Sequence, residues 1–482
     1  MRNRFEQQIT IGRLPIQDTK ISLKCRAPLL ELMAALKEIF IASEYNEKIF
    51  SILERCILSG KQKTGRKGMD LWQIFVLAQV RLCINASYDK LHYLSNHDKL
   101  VRQIMGVEGS AGFEQIEFEY QNIYDNVSLL DDETVQELNA VILSFGHEVF
   151  KKKEQAPLRL KTDTFVVESN VHFPTDYNLL WDCARKCLDC VSAFLKKYEH
   201  LDGWRKIKNW RYEIKGLMRE VGKASVSGGK NKDKRTRQAT MKYLSKANAL
   251  INKLKKEVPF LPVQDKIDTA MICMLFRFME LMEKHIDLVY RRLIKGEVIP
   301  HSEKIFSIFE TYTEMIKKGK MRPNVEFGKK MAITTDQNNL IIDYRLLPEE
   351  QDRDIIPELS ACILSRYNVS SWSFDKGFWN KHNKGLLKSK VENVVMPKLG
   401  KRNKNEEEEE TSPKFRKLKN HHSAIESNIN ELEHRGLDRC PDKGYYNYKR
   451  YVGLAVSAYN LKKIGRKLLE EERKRILLKQ AA

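Results

Sequence analysis

After Pro157 the chain reads Leu158-Arg-Leu-Lys-Thr-Asp-Thr-Phe-Val-Val-Glu168, a Thr- and Val-rich stretch that alternates over several residues and predicts a β-strand. A strand needs a neighbour to satisfy its backbone, and the next strand signals lie about 160 residues further on. There, KKMAITTD and NLIIDYRLL flank a polar turn at Asp336 to Asn339 and predict a hairpin. Asn368 to Asp375 and Asn393 to Met396 read as two further short strands. From about Tyr177 to Lys320 the pattern is helical and strongly basic. The expectation is therefore an α/β protein with five strands and a large helical insertion after the first. An insertion of that length fits a compact protein only if it is itself structured.

The rest of the chain reads mostly as helix. Apolar residues recur at helical spacing in PLLELMAALKEIFIA and in DLWQIFVLAQVRLCINASYDKLHYL, so residues from about 27 to 150 form a helical N-terminal region. A glycine-containing loop, Lys61 to Gly68, separates them. Lys398 to Asn420, with the run Glu406 to Glu410, reads as a solvated low-complexity loop. A last helical region starts near His421 and breaks at Gly436 to Pro441. The expected division is 1–150 for a helical N-terminal domain, whose DNA-binding and dimerisation role is implied by the family resemblance that follows, 157–180 for the start of a core, 181–320 for the basic insertion, 321–465 for the remainder of the core and 466–482 for a tail.

Charge then narrows the partner. The chain has 85 Lys and Arg against 64 Asp and Glu, a net charge of +21. A surplus of that size calls for a polyanion, a membrane surface or a very acidic partner. No run approaches the roughly 18 apolar residues of a membrane span, and MRNRFEQQITIGRLPIQ has no export-signal pattern. A cytoplasmic protein acting on nucleic acid is expected, with no membrane; double-stranded DNA and a nucleoid-associated location are implied by the family resemblance that follows. Nine scattered cysteines, an odd number, fit reduced thiols. Cys183, Cys187 and Cys190 have the C-x3-C-x2-C spacing of a radical-SAM cluster loop. That spacing also marks one helix face, Asp189 stands where an aromatic is usual, and no glycine-rich segment follows, so packing is the reading preferred.

Three acids stand out. Asp163 lies mid-strand with Lys161 and Phe165 on its own face, and Asp375 ends the fourth strand. Glu426 borders a stripe of Ile425, Ile429 and Leu432 on the helix beginning near His421. Cutting a phosphodiester requires negative charge to be stabilised on the attacking and the leaving oxygen, which two hard cations held by carboxylates can do. Glu168 falls on the opposite face of its strand, and Asp336 and Asp343 read as turn and surface residues.

Asp163-Thr-Phe-Val-Val-Glu-Ser-Asn-Val-His-Phe-Pro-Thr-Asp-Tyr-Asn-Leu-Leu-Trp181 resembles the first catalytic block of DDE transposases from bacterial insertion sequences. Trp372-Ser-Phe-Asp-Lys-Gly-Phe378 is similar to their second block and His421 to Gly436 to their third, while Lys63 through Leu94 resembles their helical N-terminal domain. The resemblance touches most of the chain outside roughly 190–320. It implies a ribonuclease-H-like five-stranded mixed sheet, three strands antiparallel and then two parallel, with a helical N-terminal domain; the insertion after the first strand departs from some relatives, which carry theirs nearer the third acid.

The resemblance further implies that Asp163, Asp375 and Glu426 are catalytic and bind two Mg²⁺ ions, for which Mn²⁺ can substitute. The activity implied is cleavage of the element's ends and their joining to target DNA by a homodimer. Relatives often place Tyr and Arg before the final Glu and Lys seven residues after it; this chain has His422 four before and Glu433 seven after. Lys61, Lys63, Arg66 and Lys67 in the N-terminal loop, and Arg205, Lys206, Lys208 and Arg211 in the insertion, are the expected DNA contacts. The alternative is a catalytically inactive or domesticated DNA-binding relative.

Overall fold

The computed structural model describes residues 2–5, 12–60, 67–109, 116–151, 156–198, 203–317, 325–348 and 351–481. By contact the chain divides into two compact units, Met1–Asn170 with Ile316–Ala482, and Val171–Met315. Each is described by itself.

The first unit holds a mixed, open, seven-stranded sheet. Its strands are β1 (Leu158–Ser169), β2 (Glu314–Lys317), β3 (Val325–Thr335), β4 (Ile341–Leu347), β5 (Val369–Phe374), β6 (Asn393–Val395) and β7 (Arg439–Cys440). The order is β2-β3-β1-β5-β6, with β4 also pairing β3 and β7 also pairing β1. β1 is the hub. It runs antiparallel to β3, with Lys161 opposite Thr335 and Glu168 opposite Gly328, and parallel to β5, with Lys161 opposite Ser373. β4 is antiparallel to β3, and β6 is parallel to β5. The four long strands fall where the Val- and Thr-rich alternation places them. β2 and β7, of four and two residues, are too short to show any alternation and add to the five expected. Gly328 is forced by the β1–β3 approach, since a Cβ there would meet the Val167 carbonyl oxygen at 2.0 Å.

Helices complete this unit. In Leu71–Cys83 every residue is buried, as suits a helix surrounded by others, and a capping box between Asp70 and Gln73 starts it. The helix Tyr445–Ala481 runs 37 residues and packs on Pro28–Ile41, Asp132–Val149 and Leu71–Cys83. Residues 466–469 continue this packing rather than beginning a tail: Leu469 is buried, Arg466 pairs with Glu31, and Gly465 lies so close to the Glu31 carbonyl that no Cβ would fit, whereas Lys474 to Gln480 are exposed. This long-range packing also puts the N-terminal helices in one unit with the sheet, a link no local pattern could reveal. The expected loop at 398–420 is instead helical, in Lys404–Thr411 and Pro413–His422. Its glutamates are folded back on cations, Glu406 on Lys398 at 2.7 Å, Glu409 on Lys384 at 3.1 Å and Glu410 on Arg402 at 2.7 Å.

The second unit is helical, built from Asp176–Lys197, Ile207–Val226, Lys232–Glu257 and Lys266–Tyr290. Their apolar stripes meet in a core that includes Cys183, Cys187, Tyr243, Leu250, Leu254 and Met282. Among the described residues no helix is long and apolar enough to cross a membrane.

Candidate active site

Alternation along β1 sets Arg159, Lys161 and Asp163 on one face of the sheet. Parallel pairing sets Ser371 and Ser373 of β5 beside Arg159 and Lys161. Asp375, extended at the end of β5 and followed by the turn Lys376–Phe378, continues that second row. Helices Pro413–His422 and Ala424–Leu432 cover this face. His422 Nδ1 lies 3.0 Å from Ser373 Oγ, and Asn428 donates to Asn339 Oδ1 at 3.3 Å. The second helix is anchored by buried Ile425 and Leu432, with Asn428 the third buried position in place of Ile429. Glu426, in its first turn, is exposed.

Asp163 is half-buried, and its carboxyl is pushed up to about 7. Burial is the main cause; the negative charges of Asp375, Asp352 and Glu426 add to it, while the Thr164 N–H, 2.7 Å from Oδ1, opposes it. The fold therefore brings the three acids, separated by up to 263 positions from Asp163 to Glu426, within electrostatic reach of one another. Asp375, like Glu426, is exposed.

Asp352 is a fourth carboxylate that the sequence did not single out. It is half-buried, accepts from Lys330 Nζ at 2.9 Å, and would lie 2.9 Å from a Cβ on Gly377. Nothing separates it in the sequence from its acidic neighbours between Glu349 and Asp354.

His422 is pushed down to about 4 by burial, against the pull of Asp375, so it is a neutral imidazole near pH 7 and adds no cation to the site. Its Nε2 is buried with no hydrogen-bond partner among the described residues.

The remaining candidates divide clearly. Lys61, Lys63 and Arg66 lie outside the described residues, and Lys67 is exposed. In the second unit Arg205, Lys206 and Lys208 are exposed, whereas Arg211 is held by Asp189 at 2.6 Å. Between Trp204 and Lys256 the sequence has 17 basic and three acidic residues. Asp336 is fully buried rather than on the surface: its carboxylate accepts from the Asn338 and Leu340 N–H groups and lies 3.2 Å from His147 Nε2. Asp343 is paired with Arg345 and Arg366. Cys183, Cys187 and Cys190 are buried, and burial raises the thiols, which leaves them protonated packing residues.

The donors that gather near Asp163 are all carboxylates, hard oxygen ligands suited to Mg²⁺ or Mn²⁺. Among the described residues no three acidic, His or Cys side chains are close enough, as placed, to hold a metal ion. No protein-family model, curated protein or solved structure matches the chain.

Proposed function

We propose that this chain is a metal-dependent enzyme that cuts and rejoins DNA, of the DDE transposase type. The observation that carries the reading is that Asp163, raised mainly by its burial, also feels the negative charges of Asp375 and Glu426, so the fold sets the three acids within electrostatic reach of one another. The sheet supports it. β4, β3 and β1 run antiparallel in turn and β5 and β6 run parallel to β1, the order and directions expected of a ribonuclease-H-like core.

Asp163, Asp375 and Glu426 would hold the cations, and bound Mg²⁺ supplies Lewis-acid stabilisation of charge on the phosphodiester oxygens. The protein's own contribution is placement. β1 fixes Asp163 in the middle of the sheet, the turn at Lys376 fixes Asp375, and the packing of Ile425 and Leu432 fixes Glu426. Among the described residues Lys330 pairs with Asp352 at 2.9 Å, while Asp163, Asp375 and Glu426 form no ion pair. The basic residues of the second unit and the Lys61–Lys67 loop hold DNA phosphates, and a dimer joins two ends. A second reading, a DNA-binding relative without cutting activity, is favoured by one fact: the acids stand apart from coordinating distance as placed.

The two readings separate in a nicking and joining assay on supercoiled plasmid DNA carrying the gene and its flanks. Asp375→Ala is expected to lose strand cutting by roughly a thousandfold or more in Mg²⁺ while binding the plasmid as wild type does. Ca²⁺ is expected to support binding without efficient cutting. Glu433→Ala, outside the acid set, retains activity. Cutting and joining by Asp375→Ala at near wild-type rate overturns the assignment.

A further inference from the structure

Two residues before Asp163 on the same face of β1, the sheet opens into a cavity of about 310 Å³. Its walls include Arg159, Lys161, Asn339, Ser371, Ser373 and His421. The acid cluster and this basic cavity are successive positions along one strand, about 7 Å apart at 3.3 Å per residue.

Lys161 decides what the cavity can hold. It is only 9% exposed, and its ammonium donates to the neutral Asn339 Oδ1 at 2.9 Å. An ammonium has three N–H donors, and among the described residues no acidic side chain forms an ion pair with it. Asp336, whose charge reaches Lys161, is committed to its own turn and to His147. A buried cation without a paired anion is costly unless a ligand supplies one. Arg159, exposed and lining the same cavity, adds a second cation. The volume is at the small end of ligand pockets, about 300–1,000 Å³, and suits one residue of a strand, not a duplex.

We infer that this cavity receives one nucleotide of the DNA strand next to the phosphodiester facing Asp163, with its phosphate held by Lys161 and Arg159. The inference rests on the cutting reading above and names a substrate contact for that site. It makes Lys161 and Arg159 binding residues, and it gives the face a polarity: acids at the bond to be cut, cations at the neighbouring phosphate.

The test is calorimetric titration of the full chain in EDTA with thymidine 5′-monophosphate, thymidine and inorganic phosphate. Wild type is expected to bind the monophosphate and not thymidine. Lys161→Met is expected to weaken that binding roughly tenfold or more, as for a lost hydrogen bond to a charged group. Arg159→Gln, at an exposed position that does not threaten folding, should weaken it by less. Unchanged monophosphate binding in both variants overturns the inference, and so does thymidine binding as tightly as its monophosphate. Inorganic phosphate binding as tightly as the monophosphate overturns the nucleotide and leaves a bare anion site. Because EDTA removes any role for cutting, the outcomes separate. Plasmid nicking with binding that ignores Lys161 and Arg159 sinks this inference alone. Binding that depends on Lys161, without nicking in Mg²⁺, sinks the cutting reading alone.

Discussion

Asp163 in the sheet and Asp268 in the helical unit are both aspartates drawn away from water, and their surroundings treat them in opposite ways. Asp268 is completely buried, yet Lys197 Nζ lies 2.6 Å from one oxygen, and the Tyr198 hydroxyl and Gln264 N–H donate to the other. Burial pushes its carboxyl up, but those partners more than reverse this and hold it below the usual carboxylate range. Asp163 has one N–H, from Thr164, and faces Asp375, Asp352 and Glu426. A compensated acid of the first kind is part of the scaffold. One crowded by like charges is stable as an anion only when something positive arrives, which is how a functional acid is recognised.

The sharpest break of this comparison is to remove each acid in turn. Asp268→Ala strips Lys197 and Tyr198 of their shared partner inside the helical unit, and a large fall in its melting temperature is expected. Asp163→Asn relieves repulsion, and the variant should melt no lower than wild type at pH 8 in metal-free buffer. Thermal denaturation followed by circular dichroism reads both. Equal losses from the two substitutions would show that Asp163 is scaffold as well.

Titration sharpens the same contrast. Because the folded carboxyl of Asp163 is raised from an ordinary value of 3.8 to about 7, the folded state binds a proton that the unfolded state has lost. Its contribution therefore falls as pH climbs from about 4 to about 7 and is flat above that. The loss is on the order of 2 kcal/mol once its half-exposed position is allowed for. The depressed carboxyl of Asp268 works in the other direction: its contribution is present above the ordinary carboxylate range and disappears as pH falls through the folded value. Metal-free denaturation of wild type and Asp163→Asn between pH 4 and 8 should give curves that diverge as pH rises. Parallel curves would mean that the Asp163 carboxyl is not raised in the folded state.

What could be read in advance follows the range of the interactions. β1, the β3–β4 hairpin, β5 and β6 announce themselves through Thr- and Val-rich alternation, a local signal. Asp163, Asp375 and Glu426 were legible as residues at strand centre, strand end and helix start, and their convergence came from the family resemblance rather than from spacing. Asp352 was illegible because its place depends on Lys330 and Gly377, 22 and 25 positions away. The run Glu406 to Glu410 looked solvated because composition does not show that Lys398 and Arg402, each eight positions before its partner, and Lys384, 25 before Glu409, fold back on it. Arg466 and Leu469 looked like a tail because the partner of Arg466, Glu31, lies more than 400 residues earlier, on a helix that Tyr445–Ala481 packs against.

The same distinction between compensated and uncompensated charge predicts a smaller effect among the basic residues. Arg211 and Lys208 lie one turn apart at the start of Ile207–Val226, three residues from each other. Arg211 is bound to Asp189, while Lys208 is exposed and has no acidic partner among the described residues. A cation that neutralises a DNA phosphate releases counterions, so the logarithm of affinity falls against the logarithm of salt with a slope of about 0.9 per phosphate. Lys208→Ala should reduce that slope by roughly 0.9 on random duplex DNA, measured by fluorescence anisotropy from low to physiological salt. Arg211→Ala should leave the slope alone, because its charge is already spent on Asp189, and should cost only about 0–1 kcal/mol of stability as a surface ion pair does. If Arg211→Ala flattens the slope as much as Lys208→Ala, the pair with Asp189 opens to DNA, and pairing in the free protein is no guide to which cations bind.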